Sequence, residues 1–561
     1  MNIEIREKNN KISPILNDYD KVRKEFNWDS VERELTFSDG TINPAYFSIY
    51  QNIEKNENKV GLIWVGKKDE VRKISYHDLA LNGSKIANSL KDLGFKNGDR
   101  IILFSRKVPE LYFTMIGATL AGGILVPVFQ SFGTEALKYR IENSGAHFIL
   151  THEELLGRVR DATSGLNVKI IVIDGNSNNN EYSFEDLKST QKLYVERKRT
   201  KDPWFIIYTS GSTGRPKGIV QAQNTIALYY ISGMYHFDLQ DDVFWPTGDP
   251  AWVAGYASVW TGWLRRVPVV TLESKFNAEK WLSIIEEFKV SVWSTAPTAL
   301  RLLKKELRYI KNDVSSLRFI HAGGEYVGPD LVTWTKDTFG VPLHEAYGQS
   351  ETATYVICNI ISLPIKVGSI GKPLPGIEAL IVDEKGNPLP PNSQGILAFK
   401  PGFPGLFIGI WGNEDRYKEY FKGGYYLTGD LAYMDKDGYF WYLGRADDVI
   451  KVSGYRVGPA EIESVIAENP NVAEVAVIGI PDEERGNAIK AFIVLKKGIS
   501  PSEQIKNEIQ DWVRKNLAAH DVPKYIEFVD SLPHTMSGKI LRRYLRAKEL
   551  GQDVGDLSTL E

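Results

Sequence analysis

The sequence predicts an α/β protein: a large multi-layer N-terminal domain with mainly parallel sheets, followed by a small, mobile α+β domain. Three observations predict it. At 561 residues the chain is longer than one core usually serves. Through most of its length short apolar runs alternate with amphipathic helical segments, the pattern of strand–helix units on buried parallel sheets. After about Arg445 that pattern gives way to longer strands and helices in a compact tail. The division is drawn between residues 1–446 and 447–561.

The elements follow in order. Residues 100–104 (R-I-I-L-F) read as a strand. Residues 111–134 carry no charge and are long enough to span a bilayer. Gly117, Gly122, Gly123, Pro127 and Gly133 interrupt them, so a buried helix over 109–121, a Gly-Gly turn and a strand over 124–129 are expected instead. A helix begins at 135–142. Strands are expected at 148–151, 168–174, 267–272, 290–295 and 317–322. In the tail, 459–468 reads as a helix with Glu461 and Glu463 near its positive end. Strands follow at 472–480 and 488–495, then a helix at 501–516. The joint is Arg445-Ala446-Asp447-Asp448, a charged stretch between strand-like runs, with Asp447 as the expected hinge.

Composition excludes several classes. Apolar content of 43 % and charged content of 25 % are ordinary for a globular protein. A net charge of −3 exerts no bulk pull on nucleic acid or anionic membrane. Cys358 is the only cysteine, so no internal disulfide can form and no cysteine metal cluster is present. The N-terminus lacks an apolar signal core. Cytoplasmic residence is therefore expected. None of the 8 histidines has H-x-x-x-H spacing, and His321 reads as structural rather than as a base.

Residues 208–218, Y-T-S-G-S-T-G-R-P-K-G, carry the most chemistry. Thr209, Ser210, Ser212 and Thr213 supply hydroxyls, Gly211, Gly214 and Gly218 permit close approach, and Lys217 adds a cation. Such a loop can surround anionic oxygens with donors; alone it also fits a flexible surface loop. Pro216 stands where a Walker A loop needs glycine. The strand-like run 204–208 precedes it, and 219–230 continues as a strand end and then a helix. Strand, glycine loop and helix is the context that favours phosphate. Further along stand Trp252-x-x-Gly255, then Tyr347-Gly348-Gln349-Ser350-Glu351-Thr352, then Tyr426-Leu427-Thr428-Gly429-Asp430. Gly444-Arg445-Ala446-Asp447-Asp448 follows, running on to Ser453-Gly454-Tyr455-Arg456, and finally Ser537-Gly538-Lys539.

Together, in this order and across nearly the whole chain, these stretches resemble the AMP-forming acyl-CoA synthetases of the adenylate-forming superfamily. The resemblance implies two half-reactions. A carboxylate attacks the α-phosphorus of ATP and releases pyrophosphate, and the thiol of coenzyme A then attacks the acyl-AMP. Mg2+ is the implied cofactor, with Glu351 and Thr209 on the metal side. Ser350 is implied to contact the α-phosphate, Asp430 the ribose hydroxyls, and Arg445 the ribose or a phosphate. Gly323, Gly324, Glu325 and Tyr326 would line the adenine, although the family often carries Pro where Tyr326 stands. Tyr347 would offer a second stacking face, and Gln349 would complete the nucleotide wall. Lys539 and Arg456 would act from a mobile C-terminal lid, Lys539 on the substrate carboxylate and α-phosphate. As alternatives, Lys539 is a solvated lysine, or its neighbours Arg542, Arg543 and Arg546 attract the coenzyme A phosphates. Ser453 and Gly454 would line the pantetheine tunnel.

Resemblance to the acetyl-activating branch implies the acyl pocket. That branch has Trp where Gly348 stands, Thr where Ala254 stands and Val where Gly323 stands. Trp252 and Val253 remain as walls. Smaller residues at these positions predict room for about four carbons or more, including a hydroxy acid such as 4-hydroxybutyrate, with acetate, propionate and aromatic acids as alternatives. Two other readings compete: an acyl-AMP ligase loading a separate carrier protein, and a nucleotide-binding regulator. The expected partners are a small carboxylic acid, ATP and coenzyme A, with no nucleic acid or membrane. The sequence leaves open whether the protein is a monomer or a homodimer.

Overall fold

The computed structural model describes residues 4–5, 12–552 and 554, apart from 52, 177, 179, 188, 190–192, 210–214, 308, 326, 447, 449, 453–454, 483–485, 518–520 and 535–539; side chains are not described at 4, 5, 451, 455, 456, 460, 461 and 486. The strands that carry the candidate site are, in chain order, β1 Pro203–Thr209, β2 Lys217–Ala222, β3 Val292–Thr295, β4 Phe319–Gly323, β5 Leu343–Gly348, β6 Tyr355–Cys358, β7 Tyr425–Met434 and β8 Phe440–Arg445.

Two large sheets form the N-terminal body. The first has the order Gly409–Ile410, β2, β1, Ile124–Pro127, Arg100–Leu103, Phe148–Thr151, Lys169–Val172, Glu181–Ser183. From β1 to Glu181–Ser183 every pairing is parallel; β2 and Gly409–Ile410 are antiparallel at one edge. The second runs Lys372–Pro373, β6, β5, β4, β3, Phe244–Pro246, Val269–Leu272, Val60–Val65, Val71–Ser75. It is parallel from β5 to Val60–Val65 and antiparallel at both margins. Parallel strands are covered on both faces, which is why they read as unbroken apolar runs. One apolar cluster joins the two sheets, from Leu62 and Trp64 through Trp260 and Trp263 to Ile101, Leu125 and Phe205. A third sheet places β7 between Gly395–Phe399 and Phe421–Lys422, with β8 paired to β7.

The uncharged run folds as expected, with shifted ends. Its helix is Pro109–Leu120, with Pro109 in the first turn, and its strand is Ile124–Pro127, two residues shorter than predicted. Every helix residue except Glu110 is buried, so the apolar run serves a protein core. Among the described residues no helix is long and apolar enough to cross a membrane.

The tail holds helix Pro459–Ala467, the antiparallel pair Val472–Asp482 and Gly486–Leu495, helix Glu503–Asn516 and a parallel strand Tyr525–Phe528. Ile450, Val457, Ile462, Val477, Ile493 and Val513 form a cluster of their own. The helix expected from 501 starts at Glu503 because the Ser502 hydroxyl caps it, accepting from the Ile505 N–H at 3.2 Å. Glu463 was expected to serve its own helix end. It instead accepts the Val477 N–H at 2.8 Å and the Arg542 Nε at 2.7 Å. Arg542 is thereby tied into the domain and is not an open anchor for coenzyme A phosphates.

Candidate active site

The glycine loop joins two strands of a hairpin. β1 and β2 pair antiparallel, with Thr209 opposite Lys217 and Tyr208 opposite Gly218. As expected, a strand end and then a helix follow the loop, the helix beginning at Thr225; the correction is that the loop leads into the full strand β2 and not directly into that helix. The residues K-G-I-V-Q-A explain it. Ile219 and Val220 are both buried, one on each face, which suits a strand covered on two sides. The Lys217 ammonium contacts the Tyr420 hydroxyl and lies 5.0 Å from that ring's centroid. Ser210, Gly211, Ser212 and Thr213 lie outside the described residues.

Opposite the hairpin stands a polar wall. Asp430 on β7 is 3 % exposed. Its Oδ2 accepts from the Tyr347 hydroxyl at 2.5 Å and from Gln349 Nε2 at 2.7 Å. Arg445 lies directly across the β7–β8 ladder from Asp430, 3.4 Å from its Oδ1. The fifteen-residue spacing that linked the two in sequence is thus a cross-strand pairing. Gln349 also donates to the Thr428 carbonyl at 3.1 Å and accepts from Tyr426 at 2.6 Å, which fixes its amide orientation. Burial, with Asp430 adding to it, pushes the Tyr347 hydroxyl far above its ordinary range, so it stays a donor. Tyr347 was expected to offer a stacking face. Its ring is buried, stacked toward Phe399 at 6.5 Å, and it acts here as the positioning partner of Asp430.

Glu351 occupies the short turn Ser350–Thr352 after β5. Desolvation raises its carboxyl above the usual range, and Lys217 is the foremost opposing charge. The turn is fixed from outside: Phe407 N–H donates to the Glu351 carbonyl at 2.8 Å, and buried Gln221 on β2 donates to the Ser350 carbonyl at 2.9 Å. Gln221 ties the loop hairpin to the Ser350–Glu351 turn, and no motif announced it. Gly324 is exposed with φ +89°. Glu325 accepts from Thr298 at 2.6 Å with Arg301 at 3.6 Å.

The acyl side departs from expectation. Trp252 and Val253 are half-buried at the start of helix Val253–Leu264, with Phe129 at 4.8 Å from the Trp252 ring; Ala254 is half-buried beside them. Gly348 and Gly323 were expected to open space, and they do not. A Cβ on Gly348 would lie 2.2 Å from the Thr354 carbonyl oxygen, because the main chain entering β6 closes over it. A Cβ on Gly323 would lie 2.6 Å from both the Ala346 carbonyl oxygen and the Tyr355 ring. The missing side chains are replaced by main chain and by Tyr355. Beyond that ring lie His321 and His236. His321 Nδ1 is 2.8 Å from Ser294 Oγ, and burial keeps its ring neutral.

Tyr326, Asp447, Ser453, Gly454 and Lys539 lie outside the described residues, and the Arg456 side chain is not described.

Comparison with known proteins completes the picture. Residues 49–411 match the AMP-binding enzyme family, and 461–539 match the AMP-binding enzyme C-terminal domain. Acetyl-coenzyme A synthetase of Bacillus subtilis is 40 % identical over 559 residues, covering 97 % of both chains. 3-Hydroxypropionyl-coenzyme A synthetase of Metallosphaera sedula is 34 % identical, covering 94 % of this chain and 86 % of the relative. The crystal structure of Brucella canis acyl-CoA synthetase superimposes with a TM-score of 0.74 at 30 % identity, covering 96 % of this chain and 99 % of that one. Family matches over most of the chain, a relative 40 % identical along nearly its whole length and a shared fold lead to one conclusion: this chain belongs to the AMP-forming acyl-CoA synthetases, ligases that use ATP to join a carboxylic acid to coenzyme A.

Proposed function

We propose that the acid is short, about four carbons long, and that the pocket runs along β4 from Gly323 toward His321. One observation carries this reading. Gly323 and His321 lie on the same face of β4, two residues or about 6.6 Å apart, with the Tyr355 ring between them. That ring fills the stretch between them, and its rotation would clear room for a chain of about four carbons. A second reading, acetate or propionate, draws on the closure at Gly348 and Gly323 and on the names of the relatives.

In the proposed mechanism the substrate carboxylate forms a bond to the α-phosphorus and the bond to the bridging oxygen of pyrophosphate breaks. Lys217 and the loop residues Thr209, Ser210, Gly211, Ser212 and Thr213 hold the phosphates, and Ser350 donates to the α-phosphate. Asp430 accepts the ribose hydroxyls, aided by Arg445, while Gly324, Glu325 and Tyr326 border the adenine. Glu351, with Thr209, would hold Mg2+ as hard oxygen donors, and the ion would supply neutralisation of phosphate charge. Lys539 and Arg456 stabilise charge developing at the reacting phosphate. The domain of residues 447–561 then turns about Asp447, bringing Ser453 and Gly454 to the thiol path. The thiol sulfur bonds to the acyl carbon and AMP leaves. The proposed residence is the cytoplasm, which a single buried cysteine and no internal disulfide suit.

Pyrophosphate release and thioester formation, measured for unbranched acids from acetate to octanoate and for benzoate, test the reading. Expected is a maximum of kcat/KM near four carbons. A tenfold preference for acetate establishes the second reading, and a maximum at octanoate or benzoate refutes both. Failure of coenzyme A as sole acceptor points to a carrier protein.

A further inference from the structure

Behind Tyr355 two histidines meet in a fully buried cluster. His236 ends the short helical turn Ser232–His236, which packs on the sheet face bearing His321. The two rings stand edge to face at 4.7 Å. Tyr355 lies 4.6 Å from His321 and 5.5 Å from His236. Both ring nitrogens of His236, and Nε2 of His321, find no hydrogen-bond partner in the protein among the described residues. Phe237 and Phe319 close the cluster from the other sides. Buried polar atoms are almost always paired, and one orphaned imidazole is unusual. Three such nitrogens in one cluster, beside the proposed acyl pocket, point to a ligand.

The chemistry of that ligand follows from the rings. Burial, with His344 a smaller contributor, pushes His236 down to about 3, so it is a neutral imidazole with one donor and one acceptor nitrogen. Ser294 occupies one nitrogen of His321 and leaves the other. A neutral pair offers no counter-charge to a carboxylate or an ammonium. A hydroxyl matches it, because it donates to one ring nitrogen while accepting from another. An acid ending in a methyl group leaves all three nitrogens unpaired.

We propose that His236 and His321 form the polar end of the acyl pocket and select short acids carrying a hydroxyl at the end remote from the carboxylate. Tyr355 is the wall that separates the imidazoles from Gly323, and rotation of its ring joins the two spaces. This inference rests on the proposed course of the acyl pocket along β4.

The test compares matched pairs, butyrate with 4-hydroxybutyrate and propionate with 3-hydroxypropionate, by kcat/KM for pyrophosphate release. The wild type should favour a hydroxylated member over its plain counterpart by about tenfold or more, the effect of one buried hydrogen bond lost. His236→Phe keeps an aromatic ring in place and should lower that ratio at least tenfold. His321→Asn, which retains a partner for Ser294, should lower it too, and serves if the first variant does not fold; thermal melting and the KM for ATP report folding. Equal rates within each pair in the wild type overturn the proposal. So does a ratio unchanged in either folded variant, which assigns the nitrogens to a buried water. If no acid supports pyrophosphate release, the functional reading itself fails; if plain acids react without a hydroxyl preference, only this inference does.

Discussion

The walls on either side of β5 both bury polar groups, in opposite states. On the nucleotide side, Asp430 is held by Tyr347, Gln349 and Arg445, and Gln349 is held in turn by Tyr426 and Thr428. On the proposed acyl side, no described residue hydrogen-bonds the His236 ring, and His321 has only Ser294 among the described residues. A satisfied network is rigid before the ligand arrives, which suits the constant part of the substrate that the proposal assigns to it, the nucleotide. An unsatisfied cluster costs stability and is completed by whatever enters. Under the proposed reading, the difference separates the part of the site that holds the nucleotide from the part that chooses the acid.

The largest expected effect belongs to neither wall. Lys539→Ala should reduce acyl-AMP formation by about 100-fold or more, the cost of one transition-state contact, while conversion of supplied acyl-AMP to the thioester stays nearly intact. Equal losses in both half-reactions, followed by rapid quench, break the assignment of catalysis to the lid.

Next comes the boundary between the walls. Gly348→Ala should cost about 1–3 kcal/mol by overpacking, read as a fall in denaturant midpoint, because its Cβ meets the Thr354 main chain. Activity should fall for all acids alike. A clean change in chain-length preference without loss of stability shows that Gly348 faces an open pocket after all.

The smallest effect sharpens the contrast by pH. His236 titrates at about 6.5 when unfolded and at about 3 when folded. Between those values the unfolded state binds the extra proton, so stability is lost as pH falls below 6.5, at about 1.4 kcal/mol per pH unit. Urea unfolding at pH 6.5 and pH 5 should show wild type losing about 2 kcal/mol more than His236→Phe. Identical slopes for the two proteins mean that the imidazole is not buried neutral.

The nucleotide wall was legible because its residues sit in short contiguous stretches: Tyr347 to Glu351, Thr428 to Asp430, and Arg445 at a ladder spacing. The layered fold was legible for a similar reason, since each buried strand announces itself locally. The acyl wall was not. His236, His321 and Tyr355 come from three separate elements and share no spacing. The strand after the glycine loop was legible, but its antiparallel pairing with Pro203–Thr209 was not, because a strand end carries no local mark of the neighbour it pairs with. Gly348 misled for a different reason: a small residue was taken for empty volume, whereas the chain had folded its own backbone into it.

That backbone has an evolutionary consequence. Ala353 holds a left-handed conformation, φ 59°, and turns the chain so that the Thr354 carbonyl rests on Gly348. Position 348 is therefore not an independent dial on substrate size. A lineage that placed an indole there has to reroute residues 353–355 at the same time. Substrate range in this branch should change in blocks of sequence, with 348 and 353–355 varying together, and directed evolution that randomises position 348 alone searches a space this backbone has already closed.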